Sequence, residues 1–385
     1  MEINLVIDAS NIRDGGGLTH LEELIRSFDG EKHNKLKITI FGGSNLAALP
    51  NNNYVKKKSL QILNKSLIFR LIWQQLLFPF IIKREKFNFL LSPGGIIPIF
   101  SSVPCVVISQ NILPFDNQSM RYYGIFSKKF LKFWLIRYAQ IISFKKSYGI
   151  IFLSEFAKKT ILKICGKIKA DVQVIPHGIN KRFFLEPRYQ RKIKTYNPSN
   201  PFKLLYVSAI DTYKHQLELI SAVSRLINNE NLPIKLYFAG GSRNKKYFDE
   251  FVKTIDKLDP NKLIFTYLGN LPYLNLHKLY HESDSFIFAS SCENLPNIVL
   301  EAMASGLPIA SSTYGPLPEI LNSNAIFFDP SDTSSIYSAL KKIVTDENRR
   351  AEISQECFKS SKKYSWDTCS KQTFNFIIET FNNGI

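Results

Sequence analysis

The first half of this sequence is short of acid. Residues 1–185 hold 27 Lys and Arg against 11 Asp and Glu, a surplus of 16. Residues 186–385 hold 23 against 21, a surplus of 2. Charge carried only for solubility would not divide this way, so the first half is expected to face something anionic. Cysteine is sparse too. Cys105, Cys165, Cys292, Cys357 and Cys369 are scattered and none forms a CxxC pair. That argues against a zinc ribbon or a disulfide framework, and each reads as a small buried hydrophobe in a reducing compartment. Long apolar runs are missing. The best candidate, Leu60 to Ile82, is broken by Lys65, Arg70, Gln74 and Gln75, so nothing is expected to span a membrane. The start, Met1 to Ser10, has neither the basic nor the apolar tract of a signal peptide and reads as a first strand.

Apolar and aromatic residues are plentiful. The chain is 45% hydrophobic with 30 Phe and 17 Tyr, which allows large cores and excludes global disorder. Its 385 residues suggest two or three domains. Short apolar runs alternate with amphipathic segments of helix length. The first half gives strands at Ile3–Asp8, Lys37–Phe41, Phe89–Leu91, Cys105–Ser109, Gly149–Leu153 and Val172–Ile175. The second gives Lys203–Val207, Ile234–Ala239, Leu263–Thr266, Ser285–Ala289, Pro308–Ser311 and Ala325–Phe328. Strands apolar on both faces, alternating with helices, argue for parallel sheets covered by helices. Residues 186–201 are polar, hold three prolines and lack periodicity, as a linker would. The expected organisation is an N-terminal domain at 1–185, this linker, a C-terminal domain at 202–365 and a last helix at 366–385, free to pack back on the first domain. Two doubly wound domains would face each other across a cleft between their strand C-terminal edges, where ligands bind.

The most informative stretch is Glu293-Asn-Leu-Pro-Asn-Ile-Val-Leu-Glu301, continuing Ala-Met-Ala-Ser-Gly-Leu-Pro. It follows an apolar strand and opens a helix over Asn297–Ala304 that ends at Gly306. The first-turn amides of such a helix, at Asn297 and Ile298, have no internal partner and suit a phosphate. Two carboxylates beside an anion site make sense if they accept hydrogen bonds from hydroxyls. A nucleotide sugar offers both, a diphosphate for the helix end and hydroxyls for Glu293 and Glu301. The structural alternative is that Glu293 caps the helix and Glu301 is solvated.

Other motifs are weaker alone. Asp14-Gly15-Gly16-Gly17 follows the first strand and would let the backbone approach a ligand closely, or it is a flexible turn. It is not GxGxxG and no acidic ribose partner follows, which argues against a nicotinamide dinucleotide site. Lys214 sits where a strand meets its helix and could reach a diphosphate, or it is a solvated loop lysine. His177, in Pro-His-Gly, could be a general base but reads first as a turn. Two segments, Lys56 to Lys86 and Arg121 to Lys146, are basic and aromatic. They read as helices of a membrane interface with lysines over anionic headgroups, or as core helices with a solvated face. No nucleic-acid module accompanies them.

Together these residues resemble the family 4, or group 1, retaining glycosyltransferases of the GT-B fold. The resemblance covers nearly the whole chain and is densest from Lys203 to Pro330. Glu293-x7-Glu301 matches the family's E-x7-E signature. Ser154 to Lys158 resembles the segment after its fifth or sixth strand, and Pro176 to Asn180 its hinge-side element. The resemblance implies two Rossmann-like domains, Glu293 on donor-sugar hydroxyls and Glu301 on the nucleotide ribose. It further implies Lys214 on the leaving diphosphate and Gly15–Gly17 near the donor phosphate or the acceptor. It implies no metal and no cofactor beyond the nucleotide diphosphate sugar. The chain departs from the pattern at three places. Ala209 stands where the family has an Arg, with Arg243 a candidate substitute. Gln110 stands where the family often has a His, and Pro296 where it usually has a Gly.

The expected activity is metal-independent hexosyl transfer to a lipid-linked cell-surface glycan, such as O-antigen or capsule, by a cytoplasmic protein on the inner face of the plasma membrane. The expected partners are the nucleotide-sugar donor, the glycan acceptor and anionic membrane, with no nucleic acid. The alternatives are a nucleotide-sugar epimerase on the same fold and a non-catalytic scaffold.

Overall fold

The computed structural model describes residues 2–13, 15–242 and 244–383. They form two α/β units. The first takes residues 1–117, 125–178 and 364 onward, and the second takes 118–124 and 179–363.

The first unit carries strands β1 (Ile3–Asp8), β2 (Leu36–Gly42), β3 (Val55–Ser59), β4 (Phe89–Ser92), β5 (Cys105–Ser109), β6 (Gly149–Phe152) and β7 (Asp171–Val174). They pair in the order β3-β2-β1-β4-β5-β6-β7, every pair parallel. The second unit carries β8 (Phe202–Val207), β9 (Ile234–Ala239), β10 (Phe265–Tyr267), β11 (Ser285–Phe288), β12 (Ile309–Ser312) and β13 (Ile326–Phe328). These pair as β10-β9-β8-β11-β12-β13, again all parallel. Central strands such as β4, β5, β11 and β12 are buried at every position, because helices cover both faces and neither face tolerates a polar alternation.

Strand order reverses where β1 meets β4 and where β8 meets β11. At such a switch point the two neighbouring connections leave the sheet toward opposite faces, and a crevice opens at the strand C-terminal ends. The glycine run follows β1, the Lys214 segment follows β8 and the Glu293 loop follows β11. These three motifs thus stand at the switch points of their own sheets.

Several elements differ from the sequence reading. β3 was not anticipated, since Val-Lys-Lys-Lys-Ser has no apolar period. It is an edge strand, where lysines discourage pairing with another chain. The segment Lys56 to Lys86 is therefore strand first, then helices Leu67–Ile72 and Phe78–Arg84 joined by a wider turn over Trp73–Leu77. Pro79 lies at the start of the second helix, directly after that wider turn. Residues 186–201, expected to be a linker between domains, belong to the second unit and are packed there. Tyr196 is buried edge-on to Phe202 at 5.2 Å, gives its hydroxyl to Asp284 at 2.9 Å and lies under the Arg191 guanidinium at 4.2 Å. Polar composition hid these contacts.

The last helix, Trp366–Asn383, belongs to the first unit. Phe374 packs on Phe28 at 4.5 Å and Phe381 on Phe89 at 5.8 Å. A side chain at Gly178 would begin 2.1 Å from the Trp366 amide, so only glycine lets the helix start here. Among the described residues, no helix is long and apolar enough to cross a membrane.

Candidate functional site

The site in the second unit starts at the end of β8. Asp211 caps a short 3-10 turn, Thr212–Lys214, by accepting from the Thr212 amide at 2.9 Å. The same carboxylate takes the Tyr123 hydroxyl at 2.8 Å and the Asn244 amide at 3.0 Å. His215 follows in the left-handed region at φ 51°, turning the chain into the helix Gln216–Glu230. Ser291 ties this turn to the loop after β11. Its amide donates to the Tyr213 carbonyl at 2.9 Å, and its hydroxyl lies 3.0 Å from His215 Nε2. The result fixes Lys214, which is buried rather than solvated. Its ammonium pairs with Glu293 Oε1 and lies 5.0 Å from the Tyr213 ring and 5.2 Å from the Phe288 ring.

The helix opened by the Glu293 loop runs over Asn297–Ala304, the span read from the sequence. Pro296 is its N-cap and no side chain caps it. The amide of Val299 is the first to bond back, to Pro296 O at 3.0 Å. The amides of Asn297 and Ile298 have no partner among the described residues, which leaves two oriented donors at the positive end of the helix. The helix ends at Gly306, φ 62°, where an added side chain would begin 2.7 Å from the Leu185 carbonyl. Glu293 therefore does not cap this helix, since its carboxylate is engaged by Lys214.

Glu301 is buried, one turn inside the helix. Tyr280 places its hydroxyl 3.1 Å from Glu301 Oε2 and 3.2 Å from Ile298 O. Tyr273 also hydrogen-bonds the carboxylate, and the Arg182 guanidinium stacks on the Tyr273 ring at 4.3 Å. Burial pushes the Glu301 pKa up to about 7, while the two phenols and Arg182 pull it down. The solvated-helix alternative for Glu301 is thereby set aside. Tyr273, Tyr280 and Arg182 were not singled out in the sequence. The signal was there for the tyrosines, because residues seven apart on the helix Tyr273–His281 share one stripe.

The remaining sequence candidates lie in the first unit or outside the described residues. Gly15, Gly16 and Gly17 open the helix Gly15–Arg26, and nothing lies within 4 Å of where side chains at Gly15 or Gly16 would begin. At Gly17 the Gln110 amide oxygen would be 3.0 Å away. Gln110 Nε2 is 2.5 Å from His20 Nδ1. Burial lowers the His20 pKa to about 4, so the ring is neutral and accepts this bond. His177 packs edge-on against His20 at 4.7 Å and beside Trp366. Burial and the neighbouring His20 hold its pKa well below the usual value, so the ring is neutral. Cys292 is buried beside Glu293. Arg243, the candidate substitute for the missing Arg at 209, and Asp14 lie outside the described residues.

The basic aromatic segments of the first unit keep an apolar face uncovered. On the helix Lys128–Lys146, residues Leu131, Trp134, Leu135 and Tyr138 are exposed at spacings of three and four, a single stripe. Ile68 is 67% exposed, Phe80 73%, Phe100 75% and Phe126 97%. Between residues 32 and 154 the only acidic side chains are Glu85 and Asp116.

Comparison with known proteins bears on this geometry. Residues 189–360 match the family described as glycosyl transferases group 1. The chain is 28% identical over 244 residues to an uncharacterized glycosyltransferase of Methanocaldococcus jannaschii, covering 61% of each. It is 22% identical over 235 residues to the O-antigen chain mannosyltransferase B of Escherichia coli, covering 59% of each. The match thus spans about three fifths of the length of these two relatives. Among solved structures, Anabaena HepE in complex with UDP and glucose superposes with a TM-score of 0.71 at 15% identity, covering 97% of this chain and 98% of its own.

Proposed function

We propose that this chain, which belongs to the group 1 glycosyl transferases and has their GT-B fold, moves a sugar from a nucleotide diphosphate sugar to a lipid-linked glycan. The transfer retains anomeric configuration and uses no metal ion. The single observation that carries the reading is the buried Lys214–Glu293 pair at the β8–β11 switch point, beside a helix with two open amides. A lone cation there would suit any anion. A cation joined to a carboxylate suits a ligand that carries both a phosphate and hydroxyls.

The roles follow from charge. The bond between anomeric carbon and phosphate breaks toward an oxocarbenium-like sugar and a developing phosphate charge. Lys214 moves from Glu293 onto that charge, and the Asn297 and Ile298 amides hold the same diphosphate. Donors aimed at a developing charge each lower a barrier by about 3–4 kcal/mol in comparable sites. Glu293, released, accepts hydroxyls of the donor sugar. Glu301, oriented by Tyr273 and Tyr280, accepts the ribose hydroxyls. The uncovered backbone at Gly15 and Gly16 takes a phosphate or the acceptor, with Gly17 keeping the approach open.

The acceptor side of the reading rests on the first unit. Its uncovered apolar stripe and near absence of acid favour an anionic membrane, where each Lys or Arg near the surface contributes about 1 kcal/mol. A relative named for O-antigen synthesis supports a surface-glycan acceptor. The protein would then work from the cytoplasmic face.

The deciding experiment is a thermal-shift screen of wild type and Glu301→Ala against UDP, GDP, ADP, dTDP and their sugar conjugates. A ligand at 100 times its Kd adds about 2.7 kcal/mol of stability. One nucleotide stabilising wild type alone is expected. No shift with any nucleotide would refute the donor site. A donor converted without acceptor would instead mark an epimerase.

A further inference from the structure

A second cationic pocket lies in the first unit, at the opposite edge of its sheet from the glycine loop. It is a depression of about 570 Å3 where β6 and β7 begin, lined by Lys145, Lys146, Tyr148, Lys169, Asp171 and Thr380 among others. Three features set it apart from an ordinary basic surface. First, the lysines come from separate elements. Lys145 and Lys146 end the helix Lys128–Lys146, where cations also complement the helix dipole. Lys169 stands in the connection before β7 and has no helix end to serve. Second, no carboxylate lies within 4.0 Å of any of the three ammonium groups among the described residues. Asp171 shares the wall without pairing. Lys146 donates to the Ile99 carbonyl at 3.2 Å, and Lys145 and Lys169 are left facing the pocket. Third, the Thr380 hydroxyl is buried without a hydrogen-bond partner, on a residue only 2% exposed. A buried hydroxyl left unmade costs about 1–3 kcal/mol, so this position calls for an acceptor.

We propose that this pocket binds a phosphate group. Three lysines against one aspartate leave a surplus of two positive charges, which matches a phosphate monoester at neutral pH, about −1.5 to −2. Several oxygens are needed to meet Lys145, Lys169 and a threonine hydroxyl at once, and a carboxylate has too few. The group is either the headgroup of a phosphatidate-type lipid or free phosphate. Ile99, whose carbonyl holds Lys146, and its neighbour Phe100 are exposed apolar residues, which suits the lipid. The site is independent of the proposed donor site and stands whether or not that reading holds.

The test uses the full chain, with Lys169→Gln and Thr380→Val as variants. Inorganic phosphate is titrated by thermal shift at ionic strength matched with chloride, and vesicles of phosphatidylcholine with or without phosphatidate are tested by flotation. Lys169→Gln is expected to bind phosphate about tenfold more weakly, as loss of one charge-assisted hydrogen bond implies, with UDP affinity unchanged. Thr380→Val is expected to melt higher than wild type without phosphate and to respond less to it. A purely structural threonine would not give that pair of results. If the natural ligand is a lipid, Lys169→Gln also loses binding to phosphatidate vesicles. If it is free phosphate, only the thermal shift changes. Phosphate and phosphatidate responses equal to wild type in both variants would overturn the proposal.

Discussion

Replacing Glu301 with glutamine should make the empty protein more stable and the liganded one weaker. Folded, the carboxyl keeps its proton up to about pH 7, against an ordinary value of 4.5. Between those values the folded chain binds more protons than the unfolded chain, so stability falls as pH rises through that window. The deficit grows from about 1 kcal/mol at pH 5 to about 3 kcal/mol at pH 8. Glutamine keeps an oxygen for the Tyr273 and Tyr280 hydroxyls and cannot ionise. Urea unfolding without nucleotide should therefore place Glu301→Gln about 2–3 kcal/mol above wild type at pH 8, with most of the gain gone at pH 5. Nucleotide affinity should move the other way. An ionised carboxylate is the better acceptor for hydroxyls, so wild-type affinity should rise from pH 6 to pH 8 and that of the variant should stay flat. Equal stability changes at both pH values would refute the argument, since they would show that the carboxyl is not held protonated.

Three further outcomes follow. Lys214→Ala removes the cation proposed for the leaving diphosphate and should lower kcat by about 10²–10³-fold, read from initial rates once the donor is known; an unchanged kcat would discard the role. Tyr280→Phe takes a donor from Glu301, so the pH at which nucleotide affinity reaches half its maximum should rise above the wild-type value, measured by calorimetry across pH 6–9. Gly178→Ala would force a side chain into the Trp366 amide, and hydrogen exchange along the helix Trp366–Asn383 should speed up while the helix Asn297–Ala304 is unaffected.

The architecture was legible because parallel strands buried on both faces leave apolar runs that a reader can count. β3 escaped because an edge strand with three lysines carries no such run. The helix over Asn297–Ala304 was legible to the residue, since a proline before it and Gly306 after it bracket it. The surroundings of Glu301 were not. Its burial depends on Tyr273 and Tyr280 arriving from another helix and on Arg182 from a loop, contacts between positions more than twenty residues apart or nearer to a hundred. The packing of residues 186–201 was hidden for a related reason. Polarity marks exposure only on average, and Tyr196 with Arg191 forms a packed corner from residues that look like solvent-facing loop.

The last helix has a consequence for the order in which the chain is made. The first unit is begun by residue 3 and is nearly complete at Gly178, yet Phe28, Phe89 and Gly178 meet Phe374, Phe381 and Trp366 only after residues 364–383 have emerged. At about 5–20 residues per second, translating the intervening stretch takes roughly 10–40 s. For that interval the ribosome carries a seven-stranded sheet with one apolar wall open, while the second unit is synthesised whole behind it. The unit that starts first is finished last, and the second unit can reach its fold before its elder neighbour closes.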